Sequence, residues 1–411
     1  MRLLLPIRLL SLQIRNSKMD TLLFNENNYD QLIQAADMIK NGEVVGMPTE
    51  TVYGLAANAC NPDAVAKIFK AKGRPSDNPL IVHLSSFSDA AHYTSYIPEL
   101  AYKIADKFCP GPITMIFPKN DKIPLITSGG LDTVGIRIPS HKTARKLIEL
   151  SGCPIAAPSA NTSGYPSPTE ASHVMLDMNG KIPAVIDGGK CSCGVESTVI
   201  SFDNDNTVRI LRPGFVTRED LLTLNCNVIV DNAILNEIAE DEKVSSPGMK
   251  YTHYSPDAKV SLVEGSFDDF AEFARNNKNQ DTYFLIFDND SLDINCNFLT
   301  YGNNSTEQAH NIFACLRKLD ELGAKKVFVR VPDKNGIGLA VYNRLIRAAG
   351  FEVIKIPCSH SHRFRGHHSR CTGCACPSSG TDTPAPPVCN WCSPSRCCSL
   401  YSFFSAVHLH F

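Results

Sequence analysis

Apolar and polar positions follow two alternating periods along this chain. From Tyr29 to Lys40, the residues Leu32, Ala35, Ala36 and Ile39 fall on one helical face, with Gly42 placed to end the helix. A short apolar strand, Val44–Met47, runs into Pro48-Thr49-Glu50-Thr51, with Tyr53-Gly54 beyond. Val65, Ile68 and Phe69 then share a face of a second helix, for which Asn61 is an N-cap and Pro62 and Asp63 suit the first turn. That helix ends in Lys70-Ala71-Lys72-Gly73-Arg74, and Leu80–Leu84 reads as a buried strand. Helices over Pro98–Phe108 and Lys142–Leu150 follow. Strands are predicted over Ile113–Phe117, Val134–Ile138, Ile155–Ala157, Ala184–Asp187, Ser197–Phe202 and Val208–Leu211. This spacing predicts an α/β domain with a mixed sheet.

After a polar, acidic stretch over Asn232–Ser246, a stricter alternation begins. Strands over Lys259–Val263, Thr282–Phe287, Lys326–Val331 and Glu352–Ile356 are separated by helices over Phe267–Asn276, Thr306–Leu322 and Leu339–Ala349. That order predicts a parallel, doubly wound sheet. It contains no Gly-x-Gly-x-x-Gly, so it does not read as a dinucleotide-binding unit.

Composition adds bounds rather than chemistry. The 411 residues are 43% hydrophobic and 20% charged, enough for two cores. A net charge of −2 argues against a broad nucleic-acid footprint, and no apolar run reaches membrane-spanning length. Met1–Lys18 carries Arg2, Arg8, Arg15 and Lys18 and no acid, which resembles a mitochondrial presequence. Met19 would then be a second start giving a cytoplasmic form; the plain alternative is an unstructured extension. Seven of 16 cysteines cluster between Cys371 and Cys398, and the others are scattered as reduced thiols would be. Cys371-x-x-Cys374 and Cys389-x-x-Cys392 have a zinc-ribbon spacing. The Pro/Ser/Thr-rich segment between them, and the extra Cys376, Cys397 and Cys398, read instead as a disordered or aberrantly translated tail.

The candidate chemistry gathers at element ends. Lys72 and Arg74 flank a glycine, so both cations can turn toward one polyanion, although cations also suit any helix C-terminus. No Gly-x-x-x-x-Gly-Lys-[Ser/Thr] occurs, so phosphates must be met by side chains and backbone rather than a P-loop. Arg212, before Pro213-Gly214, is a third cation at a strand end. Ser159-Ala160-Asn161 opens a Ser/Pro/Gly loop that continues to Ser167 and Thr169, either a rim of neutral donors or a plain turn cluster. Arg137, inside a β-branched strand, is either at an edge or paired with a carboxylate, and a free amino acid would supply one. His83 reads equally as a core histidine, and Cys191 and Cys193 as loop residues. With no Ser–His–Asp or Cys–His set in view, catalysis would rest on holding reactants together and stabilising charge.

These motifs, taken together, resemble the L-threonylcarbamoyladenylate synthase family in its two-domain form. The resemblance runs through Asn41–Thr223, the Ser246–Pro256 linker, and a second domain reaching Pro357, whose end is marked by Asp333…Gly336-Ile-Gly338…Asn343-Arg344. It implies a YrdC-type domain with a twisted mixed sheet and flanking helices, then a smaller Rossmann-like parallel α/β domain. The expected division is an N-terminal extension over 1–27, a catalytic domain over 28–230, and a linker or lid over 231–257. An accessory domain over 258–357 and a tail over 358–411 follow. The resemblance places an L-threonine pocket on Thr51, His83, Arg137, Ala157 and Ser197. It places ATP contacts on Lys72, Arg74, Asn78, Thr133, Ser159, Asn161, Ser167, Arg212 and Tyr254, with Lys72 and Arg74 as the catalytic pair. The implied reaction joins bicarbonate or CO2, L-threonine and ATP into threonylcarbamoyl-AMP and pyrophosphate, with Mg²⁺ accompanying ATP and no protein side chain as metal ligand. The product would serve threonylcarbamoyladenosine formation in tRNA, with tRNA or a downstream transferase complex as further partners and no membrane. Two rivals are a hydrogenase-maturation carbamoyltransferase, whose chains carry more sequence before this domain, and an RNA-binding module of the same fold without nucleotidyl transfer.

Overall fold

A computed structural model describes residues 20–236, 254–290 and 296–357. The putting-together of the first sheet uses eleven strands: β1 (Leu22–Asn25), β2 (Val45–Met47), β3 (Gly54–Asn58), β4 (Ile81–His83), β5 (Ile113–Pro118), β6 (Thr133–Arg137), β7 (Ile155–Ala156), β8 (Ala184–Asp187), β9 (Thr198–Asn204), β10 (Thr207–Arg212) and β11 (Asn227–Val230). Their spatial order is β1-β8-β2-β3-β7-β4-β6-β5-β9-β10-β11. Parallel pairs such as β4·β6 and β5·β9 alternate with antiparallel ones such as β5·β6 and β9·β10, so the sheet is mixed as expected.

The helices of this part are α1 (Tyr29–Lys40), α2 (Pro62–Lys72), α3 (Glu99–Phe108), α4 (Lys142–Ser151), α5 (Ala171–Met178) and α6 (Arg218–Leu222). The two that matter most for the site are set by their caps. Asn61 accepts from the Asp63 and Ala64 amides at the start of α2, Pro62 occupies the first position, and Gly73 ends it with φ +65°. The apolar face of α2, Val65, Ile68 and Phe69, enters a core with Leu55, Val82, Ile136 and Met115 from the sheet. A second core, on Phe24, Leu32, Ile39, Leu147 and Ile186, lies under α1 and α4.

β1, β3, β11, α5 and α6 are not foreseen by the hydrophobic pattern. β3 is Gly-Leu-Ala-Ala-Asn, which has no β-branched residue and is held by pairing with β2 and β7 rather than by propensity. α5 is eight residues long and has no side-chain cap.

The second sheet is built from β12 (Lys259–Glu264), β13 (Thr282–Ile286), β14 (Asn297–Thr300), β15 (Lys326–Arg330) and β16 (Val353–Lys355), in the order β14-β13-β15-β12-β16. Every pair is parallel, which is the predicted wound arrangement, with β14 added to the four strands expected. α7 (Phe267–Asn277), α8 (Ser305–Glu321) and α9 (Ile337–Ala348) connect the strands. α8 and α9 do more than cover their own sheet. Val52 and Val195 of the first part are buried in the same apolar cluster as Ala309, Phe313, Val341 and Leu345.

Among the described residues no helix is long and apolar enough to cross a membrane. The presequence-like segment, most of the proposed lid and the cysteine-rich tail lie outside the described residues.

Candidate active site

A cavity of about 780 Å³, counting the space open at its mouth, sits where the ends of α2, β4, β6, β7 and β10 converge. Its two sides differ in chemistry.

One side is formed by β4, β6 and the turn after β2. His83 and Arg137 stand opposite each other in the parallel β4·β6 register, and Ala157 follows β7, its amide donating to the Ile81 carbonyl at 3.0 Å. Interior strands leave Arg137 no water, so it takes a carboxylate: Nη2 donates to Glu50 Oε1 at 2.8 Å, with both side chains buried. Burial raises the Glu50 carboxyl, but the charge and hydrogen bond of Arg137, together with backbone hydrogen bonds, outweigh this and hold it below its ordinary range. Arg137 Nε and Glu50 Oε2 have no hydrogen-bond partner among the described residues. His83 Nδ1 lies 3.2 Å from the Ile81 carbonyl. Burial, and next the Arg137 charge, push its imidazole down to about 3, so the ring is neutral. Thr51 Oγ1 meets Thr49 Oγ1 at 2.9 Å, and Ser197 Oγ meets Thr114 Oγ1 at 2.8 Å, so hydroxyls complete this side.

The other side is cationic. Lys72, in the last turn of α2, is only 2% exposed. Its ammonium donates to Asn161 O at 2.7 Å, to Asn161 Oδ1 at 3.2 Å and to the Ser159 carbonyl, all uncharged oxygens. Burial, with Arg74 close by, drives its pKa well below the lysine range. Arg212 Nε donates to the Ser197 carbonyl at 3.1 Å and Nη2 to Ser197 Oγ at 3.2 Å, and burial lowers its pKa to about 10. Arg74, Ser159 and Asn161 line the same wall, and Tyr254 closes it, 6% exposed with φ +69°. Concentrating buried cations next to neutral acceptors makes a site that a polyanion would stabilise.

Of the expected residues, Asn78, Thr133 and Ser167 stand outside the cavity wall. Asn78 is buried beneath Gly129, whose φ is +61° and where a Cβ would come 2.7 Å from Pro79 N. Thr133 begins β6. Ser167 is fully buried and donates to Glu196 Oε1. Glu50 stands in the sequence only as a member of the short Pro48-Thr49-Glu50-Thr51 motif, and Glu196 is singled out only by the structure. Nothing in the chain order pairs Glu50 with a residue 87 positions away. Cys191 and Cys193 are buried, and burial raises both thiols, Cys193 to about 12, so they are poor nucleophiles.

Comparison with known proteins decides the family. A profile described as telomere recombination, covering Sua5, YciO and YrdC, matches residues 37–214, and one for the C-terminal domain of threonylcarbamoyl-AMP synthase matches 216–350. The threonylcarbamoyl-AMP synthase of Pyrococcus abyssi is 44% identical over 326 residues, 78% of this chain and 95% of the relative. That of Bacillus subtilis is 42% identical over 334 residues, 80% of this chain and 95% of the relative. The chain belongs to the threonylcarbamoyl-AMP synthase family. The crystal structure of P. abyssi Sua5 complexed with L-threonine superposes with a TM-score of 0.75 at 41% identity, covering 82% of this chain and 99% of that one. Membership makes the chain a nucleotidyltransferase-type enzyme, and both sheets described above belong to the family's fold.

Proposed function

We propose that this cavity condenses L-threonine, bicarbonate or CO2, and ATP into threonylcarbamoyl-AMP and pyrophosphate. One observation carries the reading: a hydroxyl-lined pocket around Arg137 opens onto a wall of buried cations, Lys72 and Arg212 with Arg74 beside them. The Arg137 Nε, held next to Glu50, is placed to meet an amino acid's carboxylate, and Thr51, His83, Ala157 and Ser197 surround the remainder of it. Neutral His83 can donate or accept a hydrogen bond there without adding charge. Lys72, Arg74, Ser159, Asn161, Arg212 and Tyr254 face the triphosphate and nucleoside. Ser167 supports that wall from behind, through its hydrogen bond to Glu196 beside Ser197.

The threonine amine takes up CO2 as a carbamate and loses a proton. A carbamate oxygen then attacks the α-phosphorus, the bond to the β-phosphate oxygen breaks, and pyrophosphate leaves with both electrons of that bond. The protein supplies alignment and charge stabilisation rather than a covalent intermediate. Mg²⁺ arrives as part of the MgATP substrate, held by phosphates and water. Both the carbamate and the mixed anhydride hydrolyse readily, and Tyr254, at the end of the 231–257 linker, supports a role for that linker in excluding water.

The working division of the chain is a catalytic domain over 28–230 and an accessory domain over 258–357. The product serves threonylcarbamoyladenosine formation in tRNA, completed by a separate transferase complex. The acid-free, arginine-bearing Met1–Lys18 supports a mitochondrial form, with Met19 as the start of a cytoplasmic one.

The test is pyrophosphate release from ATP, with and without L-threonine and bicarbonate, and with L-serine as control. Release requiring both threonine and bicarbonate is expected. No release, with salt-sensitive RNA binding that ignores ATP, would overturn the reading in favour of a binding module.

A further inference from the structure

The sequence motif Asn343-Arg344 belongs to the accessory domain, yet Arg344 is the largest fully buried side chain among the described residues, at 0% exposure. Apart from a bond from Nη1 to Asn343 Oδ1 at 3.1 Å, its guanidinium donates to the first domain. Nε donates to Glu196 Oε2 at 2.9 Å, Nη2 to the Glu196 carbonyl at 3.3 Å, and Nη1 to the Pro213 carbonyl at 2.7 Å. Glu196 immediately precedes Ser197 and Pro213 immediately follows Arg212, so one fork holds the chain beside two residues of the cavity wall. The other Glu196 oxygen accepts from Ser167 Oγ. The Arg344 guanidinium also lies 5.9 Å from the centroid of the Tyr254 ring, within cation–π range.

We propose that Arg344 is a positioning residue for the reaction: from the accessory domain it sets Ser167, Arg212 and Tyr254, so the ATP side of the cavity is completed only when α9 is docked. This rests on the synthase reading above and assigns the accessory domain a part in it. The threonine side is less dependent, because Ser197 has a second anchor in Thr114 of β5. An ion pair that served stability alone would need charge but not shape. Here a planar fork spans two carbonyls and a carboxylate, which a lysine ammonium cannot reproduce.

The experiment uses the full chain and the variants Arg344→Lys and Glu196→Gln, which keep hydrogen-bonding capacity where Arg344→Met risks an unpaired buried carboxylate. ATP and L-threonine dissociation constants are measured by calorimetry, alongside steady-state pyrophosphate release and melting temperature. For Arg344→Lys, ATP affinity should fall and the KM for ATP rise by roughly tenfold, while the threonine dissociation constant stays within about twofold. Glu196→Gln should shift the same parameter, and the double variant should add little to either single change. Unchanged ATP affinity and KM in folded Arg344→Lys, with only a lower melting temperature, would overturn the proposal. So would full additivity in the double variant. Wild-type protein that binds ATP but releases no pyrophosphate would overturn the synthase reading alone, because the binding comparison still decides the role of Arg344. Failure of wild-type protein to bind ATP would overturn both.

Discussion

Lys72 and His83 face the same cavity and meet burial in opposite ways. The histidine escapes its cost by staying neutral, whereas the lysine is held by three uncharged acceptors and gains most from an incoming phosphate. Lys72→Ala or Arg74→Ala should therefore lower pyrophosphate release by roughly a hundredfold or more with an unchanged circular dichroism spectrum. Wild-type turnover in either variant would remove them from the phosphate site. His83 also predicts a stability effect with a definite sign. Its folded pKa, about 3, lies below the ordinary value of 6.5, so the unfolded chain binds the extra proton as pH falls. The stability it contributes is complete above 6.5 and is lost on acidification toward 3. Between pH 6.5 and 5, before most carboxylates titrate, His83→Asn should flatten the fall in stability by up to about 1.4 kcal/mol per pH unit. Denaturant titrations at a series of pH values measure this; parallel profiles would refute it.

Elements carry the site through their ends. α2 delivers Lys72 because Gly73 can turn the chain into the left-handed region, and the turn after β2 delivers Glu50 and Thr51 because the Cys193 and Gly194 amides donate to their carbonyls. Gly194 ties this arrangement to α8. It has φ +80°, and a Cβ there would lie 2.4 Å from Ala309 O and 2.5 Å from His310 Cα, backbone atoms that cannot turn aside. Gly194→Ala should destabilise the protein by about 1–3 kcal/mol and lower activity as well, since Glu196 is two residues on. A denaturant midpoint equal to that of wild type would show that α8 can give way. Helix boundaries are largely readable from the chain: Tyr29–Lys40 is predicted and observed with the same ends, because four apolar residues recur at helical spacing; the Asn28 side chain that caps its start is seen only in the structure. β3 and α5 are not readable in this way, because small residues and an uncapped short helix leave no periodic signal, and tertiary pairing decides them.

At the scale of the molecule, the two sheets share an apolar contact and several buried polar ones. Val52 and Val195 pack among residues of α8 and α9, and Arg317 of α8 reaches Asp177 at 2.8 Å and the Pro166 carbonyl at 2.6 Å. A fragment ending at residue 236 would expose that surface and leave Glu196 and Asp177 without their guanidinium partners. It should be inactive and prone to aggregate, as turnover and light scattering would show. Removing residues 359–411, by contrast, should leave turnover unchanged, because both family profiles end before that segment. Loss of activity on that truncation would give the cysteine-rich tail a role.

The sequence by itself determined the fold class and the two-part alternation, because periodicity, caps and turn residues act over neighbouring positions; most of the polar residues placed at the cavity came instead from the family resemblance of its motifs. It also placed Lys72 and Arg74 together, since they are two residues apart. Only the tertiary structure decided the charge partners. Arg137 with Glu50 and Arg344 with Glu196 are joined across 87 and 148 positions, and the need to compensate a charge out of water is met by whichever carboxylate the packing brings near. The same packing settled the protonation of His83 and turned the end of the accessory domain into a support for the cavity wall.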